Sequence, residues 1–292
     1  MATDKQKIVV TGSTGQLGFD VVLELKRRGH EVYGLGSSDM DITDASSVDA
    51  VLDGIAPDAV IHCAAWTAVD AAEEEENREK VFAVNHIGTE NIANACKKLG
   101  CKMLYISTDY VFSGEGDQPW LPDCRDYRPL NVYGESKLRG ELAVENALEK
   151  FFIVRIAWVF GLNGKNFVKT MLNIGKTHDT VRVVNDQIGT PTYTADLAVL
   201  LADMIVTDKY GYYHATNEGG YISWYDFTCE IFRLSGMATK VVPVTTAEYG
   251  LSRAKRPFNS RLDKSKLAAS GFDLLPPWQN ALARFIDAYG KS

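Results

Sequence analysis

The chain is short of the features that staple, metallate or anchor a protein. Its five cysteines (Cys63, Cys96, Cys101, Cys124, Cys229) are odd in number, and no two form a Cys-x-x-Cys pair. The five histidines are scattered without ligand spacing, so a disulfide framework and a zinc module are excluded and no metal is expected. No apolar run is long enough to span a bilayer, and the polar stretch Met1 to Lys7 leads directly into a strand pattern. No signal peptide and no membrane contact are expected, and the location expected is cytoplasmic, with reduced thiols. Positive charge is also scarce. Lys and Arg number 31 against 38 Asp and Glu, giving a net charge of −7 and a pI near 5.3. That balance argues against a general nucleic-acid surface and requires a local basic patch for any anionic ligand. There is no internal repeat and no low-complexity stretch. The one charge run, Glu73–Glu76, precedes a helical pattern, where acids suit the helix dipole.

What remains is an ordinary globular composition, 46% apolar and 24% charged, over 292 residues. This suffices for one large α/β domain with a smaller lobe. The most informative feature is a run of three glycines, Gly12, Gly15 and Gly18, between the apolar run Ile8–Val10 and a helical pattern. A turn nearly free of side chains brings backbone N–H groups against a diphosphate, and the following helix turns its positive end toward the same anion. The spacing is Gly-x-x-Gly-x-x-Gly, looser than the usual dinucleotide fingerprint.

Short apolar runs then alternate with amphipathic ones. Strands are expected at Ile8–Val10, Glu31–Leu35, Ala59–His62, Lys102–Ser107 and Phe151–Trp158. Helices are expected at 16–28, 46–53, 78–98 and 133–149. This rhythm predicts a Rossmann-type doubly wound parallel sheet with right-handed crossovers. Ligands in such sheets bind at the carboxyl ends of the strands, where Gly12, Ala64, Thr108 and Trp158 all fall. After about residue 160 the rhythm loosens. Helices are expected at 167–174, 194–206, 224–234 and 281–289, and short strands at 181–184 and 212–214, with 243–272 irregular and partly basic. Residues 1–160 are read as the dinucleotide-binding domain and 161–292 as a smaller α/β substrate lobe, the alternative being an interleaved arrangement in which some segments return to the sheet.

Tyr133 and Lys137 are four residues apart on a predicted helix and share a face. A phenol titrates near pH 10, and a neighbouring ammonium lowers that value, which suits proton exchange with a carbonyl oxygen. By itself the pair is equally an aromatic and a lysine on a surface helix. Its context is a hydroxyl, Thr108, directly after the fourth strand, where it could hold the reacting oxygen beside Tyr133.

A glycine turn after strand one, a hydroxyl after strand four and Tyr-x-x-x-Lys on the next helix resemble the extended short-chain dehydrogenase/reductases. Longer stretches narrow the likeness. Ala64-Ala65-Trp66-Thr67-Ala68-Val69-Asp70, Ser107-Thr108-Asp109-Tyr110-Val111-Phe112, Asn131-Val132-Tyr133-Gly134-Glu135-Ser136-Lys137-Leu138, Asn166-Phe167-Val168-Lys169-Thr170-Met171 and Asn185-Asp186-Gln187-Ile188-Gly189-Thr190-Pro191-Thr192 are similar to the dTDP-4-dehydrorhamnose reductase family. The likeness runs from about Ile8 to the C-terminal helix, and the last two motifs are the specific ones. It implies reduction of the C4 ketone of dTDP-4-dehydro-6-deoxy-L-mannose to dTDP-L-rhamnose, with hydride from NADPH or NADH. It implies that Thr108 holds the ketone oxygen, Tyr133 protonates it, and Lys137 binds the nicotinamide ribose and polarises Tyr133. Gly12, Thr14, Gly15, Gln16, Leu17 and Gly18 would carry the cofactor diphosphate, Ala64, Ala65 and Thr67 would line the cofactor, and Asp41 and Ile42 would flank the adenine. Asp109, Tyr110, Trp158 and Gln187 would face the sugar or the nucleotide.

Two departures from the family pattern bear on cofactor and assembly. The stretch after strand two, Gly34-Leu35-Gly36-Ser37-Ser38, lacks the acid that selects NAD, so dual use of NADPH and NADH is expected. Some family members form a magnesium-bridged dimer through glutamates. Here the first helix carries Asp20 and the chain ends Tyr289-Gly290-Lys291-Ser292, so neither that dimer nor a metal is assumed, and a monomer or homodimer is expected. Arg253, Lys255, Arg256 and Arg261 stand out in an acidic chain. Arg256 is the candidate for the substrate diphosphate, because a guanidinium pairs with phosphates through two charge-assisted bonds. The competing readings are another nucleotide-sugar reductase or epimerase of the same superfamily, and a non-catalytic NAD(P)-binding subunit resembling the regulatory subunit of methionine adenosyltransferase. Intact Thr108, Tyr133 and Lys137 speak against the latter.

Overall fold

The computed structural model describes residues 5–291. The first strand, β1 (Lys7–Thr11), carries the apolar run Ile8–Val10 between its lysine and Thr11 and is buried from Ile8 onward. Its glycine turn opens helix α1 (Gln16–Arg27), which lays Leu17, Val21 and Leu25 on the sheet. Strand β2 (Glu31–Leu35), helix α2 (Ala45–Ile55) and strand β3 (Ala59–His62) follow. Helices α3 (Glu75–Phe82) and α4 (Gly88–Leu99) lead to β4 (Lys102–Thr108), then α5 (Val132–Ala147) and β5 (Phe151–Ile156).

The second half contributes β6 (Val159–Phe160), α6 (Phe167–Gly175), β7 (Thr180–Val184), β8 (Ile188–Gly189) and β9 (Thr192–Tyr193). Then come α7 (Thr194–Ile205), β10 (Gly211–His214), β11 (Ile222–Ser223), α8 (Trp224–Leu234) and β12 (Lys240–Val244). The chain closes with α9 (Thr246–Tyr249), α10 (Ser265–Ala269) and α11 (Trp278–Gly290). The capping box expected from Ser223 and Asp226 opens α8.

The six strands β2, β1, β3, β4, β5 and β10 lie side by side in that order, all parallel. Helices cover both faces, as a sheet built of near-continuous apolar strands requires. The order reverses at β1, which lies between β2 and β3, so the loops after β1 and β3 splay apart there and leave a crevice. β10 lies beyond residue 160 yet pairs with β5, and α7 packs its Leu197, Leu201 and Ile205 into the same core as α1. A separate core of Phe160, Phe227, Trp278 and Phe285 sits under α6, α8 and α11. Among the described residues no helix is long and apolar enough to cross a membrane.

Three boundaries differ from the sequence reading. The helix expected over 78–98 is longer and is interrupted by a π turn, Ala83–Ile87, between α3 and α4. The fifth strand stops at Ile156, because Trp158 takes a left-handed backbone (φ 52°) that a strand cannot contain. The region 243–272 is less irregular than expected, since it holds the end of β12 and the short helices α9 and α10.

Candidate active site

The carboxyl ends of the strands surround a cavity of about 900 Å³. Its floor is the glycine turn. Gly12 has φ +65°, and a Cβ there would sit 2.7 Å from the Ala64 backbone nitrogen. A Cβ on Gly18 would strike the Gly12 carbonyl oxygen. Only glycine lets the start of α1, the turn and the end of β3 approach this closely. The N-cap of α1 is Gly15, with no side-chain cap and no acid in the first turn. That helix end therefore offers its partial positive charge to the cavity, which fits the diphosphate of a dinucleotide. Asn163 donates to the carbonyls of Thr14 (2.7 Å) and Gly15 (3.1 Å), and Asn166 donates to Gln16 Oε1 (3.0 Å). The loop after β6 is thus tied to the glycine turn, with Lys165 on the cavity wall.

Most of the residues singled out in the sequence line this one cavity. Gly12, Thr14, Gly15, Gln16, Leu17, Gly18, Asp41, Ile42, Ala64, Ala65 and Thr67 form one part of it, and Thr108, Asp109, Tyr110, Tyr133, Lys137 and Trp158 the other. Two do not reach it. Gln187 is buried and donates to Thr246 Oγ1 at 3.0 Å. Arg256 forks onto the Asp70 carboxylate at 2.7 and 3.2 Å.

The reacting groups are held by their own elements. Asn131 caps α5 by accepting the Gly134 N–H at 2.7 Å, and Glu73 accepts the Val132 N–H at 2.8 Å, which fixes the first turn carrying Tyr133. Thr108 ends β4 on the same cavity as Tyr133, with its hydroxyl donating to Asp109 Oδ1 at 2.9 Å. Lys137 is buried one turn further along α5. Its ammonium donates to the Ile106 carbonyl at 2.8 Å and lies 4.1 Å from the centre of the Tyr105 ring. Burial pulls Lys137 down to about 7, against the opposing pull of Glu141 and Cys63.

The expectation that Lys137 lowers the Tyr133 phenol is corrected by this geometry. Tyr133 is pushed above its ordinary value, first by burial and then by the charge of Asp109, while Thr108 pulls the other way. With its ammonium aimed at Ile106 and the Tyr105 ring, Lys137 does not offset that burial. The phenol therefore keeps its proton at neutral pH, which is the form a proton donor needs.

Sequence reasoning missed several contributors. Asn85, in the π turn, accepts the Trp66 N–H (2.8 Å) and donates to the Trp66 carbonyl (3.1 Å) and Ser136 Oγ (2.9 Å), so it pins the loop that carries Ala64, Ala65 and Thr67. Ser107 Oγ is buried at the cavity without a hydrogen-bond partner. Ser260, from the C-terminal half, donates to Asp109 Oδ2 at 2.5 Å. Trp224 stacks on Trp158 with ring centres 3.8 Å apart. Periodicity does not signal Asn85, Ser260 or Trp224, because each acts through a contact distant in sequence.

Comparison with known proteins sharpens the picture. The sequence profile of the family described as "RmlD substrate binding domain" matches residues 6–291. The chain is 42% identical over 286 residues to a dTDP-4-dehydrorhamnose reductase of Streptomyces griseus, covering 96% of this chain and 93% of that one. It is 39% identical to the spore coat polysaccharide biosynthesis protein SpsK of Bacillus subtilis, covering 96% of each. The crystal structure of the Bacillus anthracis dTDP-4-dehydrorhamnose reductase in complex with NADP superimposes with a TM-score of 0.93 at 41% identity, over 97% of this chain and 99% of that one.

Proposed function

The chain belongs to the RmlD substrate binding domain family, and from that premise we propose how its site works as an NAD(P)H-dependent dTDP-4-dehydrorhamnose reductase. The protein is an oxidoreductase that reduces the C4 ketone of dTDP-4-dehydro-6-deoxy-L-mannose to give dTDP-L-rhamnose. The observation that carries the mechanism is the convergence of Thr108, Tyr133 and Lys137 and the bare end of α1 on one cavity.

The cofactor, when bound, supplies the hydride. The N–H groups at the start of α1 and the glycine turn hold its diphosphate, and Ala64, Ala65 and Thr67 border it past β3. Thr108 and Tyr133 grip the ketone oxygen. As negative charge builds there, the Tyr133 O–H gives up its proton to that oxygen. The buried Lys137 binds the nicotinamide ribose hydroxyls. Tyr110 and Trp158 face the sugar, and Asp109, its carboxylate oxygens held by Thr108 and Ser260, stands behind Thr108. Gln187 supports the substrate side through Thr246, and Arg256 meets the substrate diphosphate only by leaving Asp70.

Gly36 and Ser37 border the cavity after β2, and Asp39 is folded back to accept the Gly36 N–H at 2.8 Å. A 2′-phosphate and a 2′-hydroxyl are both accepted there, which supports use of either NADPH or NADH. The substrate lobe is the part beyond residue 160 that does not rejoin the sheet. The protein works in the cytoplasm, as a monomer or homodimer with no nucleic-acid partner, its cysteines free.

The test is loss of NAD(P)H absorbance with dTDP-4-dehydrorhamnose as substrate. Tyr133→Phe removes the proton donor without changing the shape of the site. It should lower kcat by about 10²- to 10⁴-fold with cofactor affinity retained. Full turnover by this variant overturns the mechanism.

A further inference from the structure

Resting on the ketone-reductase reading above, we infer that Asp109, clasped between Thr108 and Ser260, is a positioning residue that must carry a proton so that Thr108 can aim its own at the reacting oxygen. Thr108 Oγ1 donates to Asp109 Oδ1 at 2.9 Å, and Ser260 Oγ donates to Asp109 Oδ2 at 2.5 Å. Asp109 is 2% exposed and Thr108 6%. A threonine hydroxyl has one proton to give, and an ionised carboxylate only accepts. With Asp109 ionised, both neighbouring hydroxyls point at it, and the Thr108 proton is directed away from the ketone. With Asp109 protonated, its O–H donates to Thr108 Oγ1, and the Thr108 proton is released toward the cavity. No bond to carbon and no redox change is involved, because the Asp109 proton stays on Asp109 through turnover.

The surroundings make Asp109 easier to protonate than an ordinary carboxyl. The groups facing it are Tyr133 from α5, Tyr110 from its own turn, Thr108 at the end of β4, and Ser260 from the C-terminal half. The Arg256–Asp70 ion pair lies beyond Tyr110. Burial pushes the Asp109 carboxyl up to about 6, and the hydroxyls of Ser260 and Thr108 hold it from rising further. The sign follows directly. The productive protonated form is populated below that value, so reduction slows as pH rises through it. Removing Ser260 withdraws a donor that favours the carboxylate, so the same decline moves to higher pH.

The experiment is the pH profile of kcat for the parent, Ser260→Ala, Asp109→Asn and Asp109→Ala, with folding checked by thermal unfolding. The expected result is a decline with rising pH in the parent and a decline shifted up by about one unit in Ser260→Ala. Asp109→Asn, whose amide donates to Thr108 at every pH, should lose that decline and keep kcat within about tenfold of the parent plateau. Asp109→Ala should fall about 100-fold at all pH values, with a smaller change in KM. An unmoved profile in Ser260→Ala, a parental decline in Asp109→Asn, or equal loss in the Asn and Ala variants overturns the inference. A parent that binds cofactor without reducing the ketone would instead overturn the reductase reading, so the two failures are separable.

Discussion

At the scale of the residue, this site is made by side chains that are missing as much as by those present. Gly12 and Gly18 let three backbones meet where any Cβ would collide. The resulting floor presents the uncapped end of α1. Gly18→Ala should therefore push α1 off the turn and weaken NADPH binding at least about tenfold, as a steric clash with backbone rather than with a mobile side chain demands. Fluorescence titration with NADPH checks this, and an unchanged Kd would refute it. The same scale explains why Tyr133 can be an acid at all. Burial keeps its proton in place until the ketone oxygen needs it.

At the scale of the element, the long helical stretch over 75–99 matters for its irregularity. The π turn between α3 and α4 turns Asn85 inward, and its amide grips both backbone groups of Trp66. A regular helix would have placed a different residue there, and π turns recur at functional sites for this reason. Asn85→Leu keeps the volume but leaves the Trp66 N–H and carbonyl without the Asn85 amide. It should cost about 3 kcal/mol of stability and reduce kcat by loosening the loop of Ala64, Ala65 and Thr67. Urea unfolding together with steady-state kinetics measures both, and a loss in neither would show that the clamp is dispensable.

At the scale of the whole molecule, the sheet that carries the site is held by a buried ion pair, with the returning strand β10 beside it. Arg155 on β5 and Glu141 on α5 are both fully buried and form a two-pronged ion pair at 2.7 and 2.8 Å. Arg155 also donates to the Pro122 carbonyl (3.0 Å) and Tyr127 Oη (2.9 Å), and it approaches His214 on the returning strand β10 (3.4 Å). Removing one partner strands a charge in the core. Glu141→Leu should destabilise by about 3–5 kcal/mol, and Glu141→Leu combined with Arg155→Met should recover part of that loss. Chemical denaturation of the single and double variants decides this, and a double variant weaker than both singles would contradict it.

Much of this was legible in the linear chain. The alternation of apolar runs and helical faces determined the parallel sheet, because a strand buried on both faces must be apolar throughout. The glycine spacing and the Tyr133–Lys137 pair marked chemistry, because both depend on short-range geometry that sequence spacing sets directly. Tertiary structure alone decided what those groups meet. It brought Ser260 to Asp109, Asn85 to Trp66 and β10 to β5 across long separations in sequence, and it kept Gln187 and Arg256 off the cavity wall. It also set proton affinities, since burial is a property of packing around a group and no local pattern encodes it.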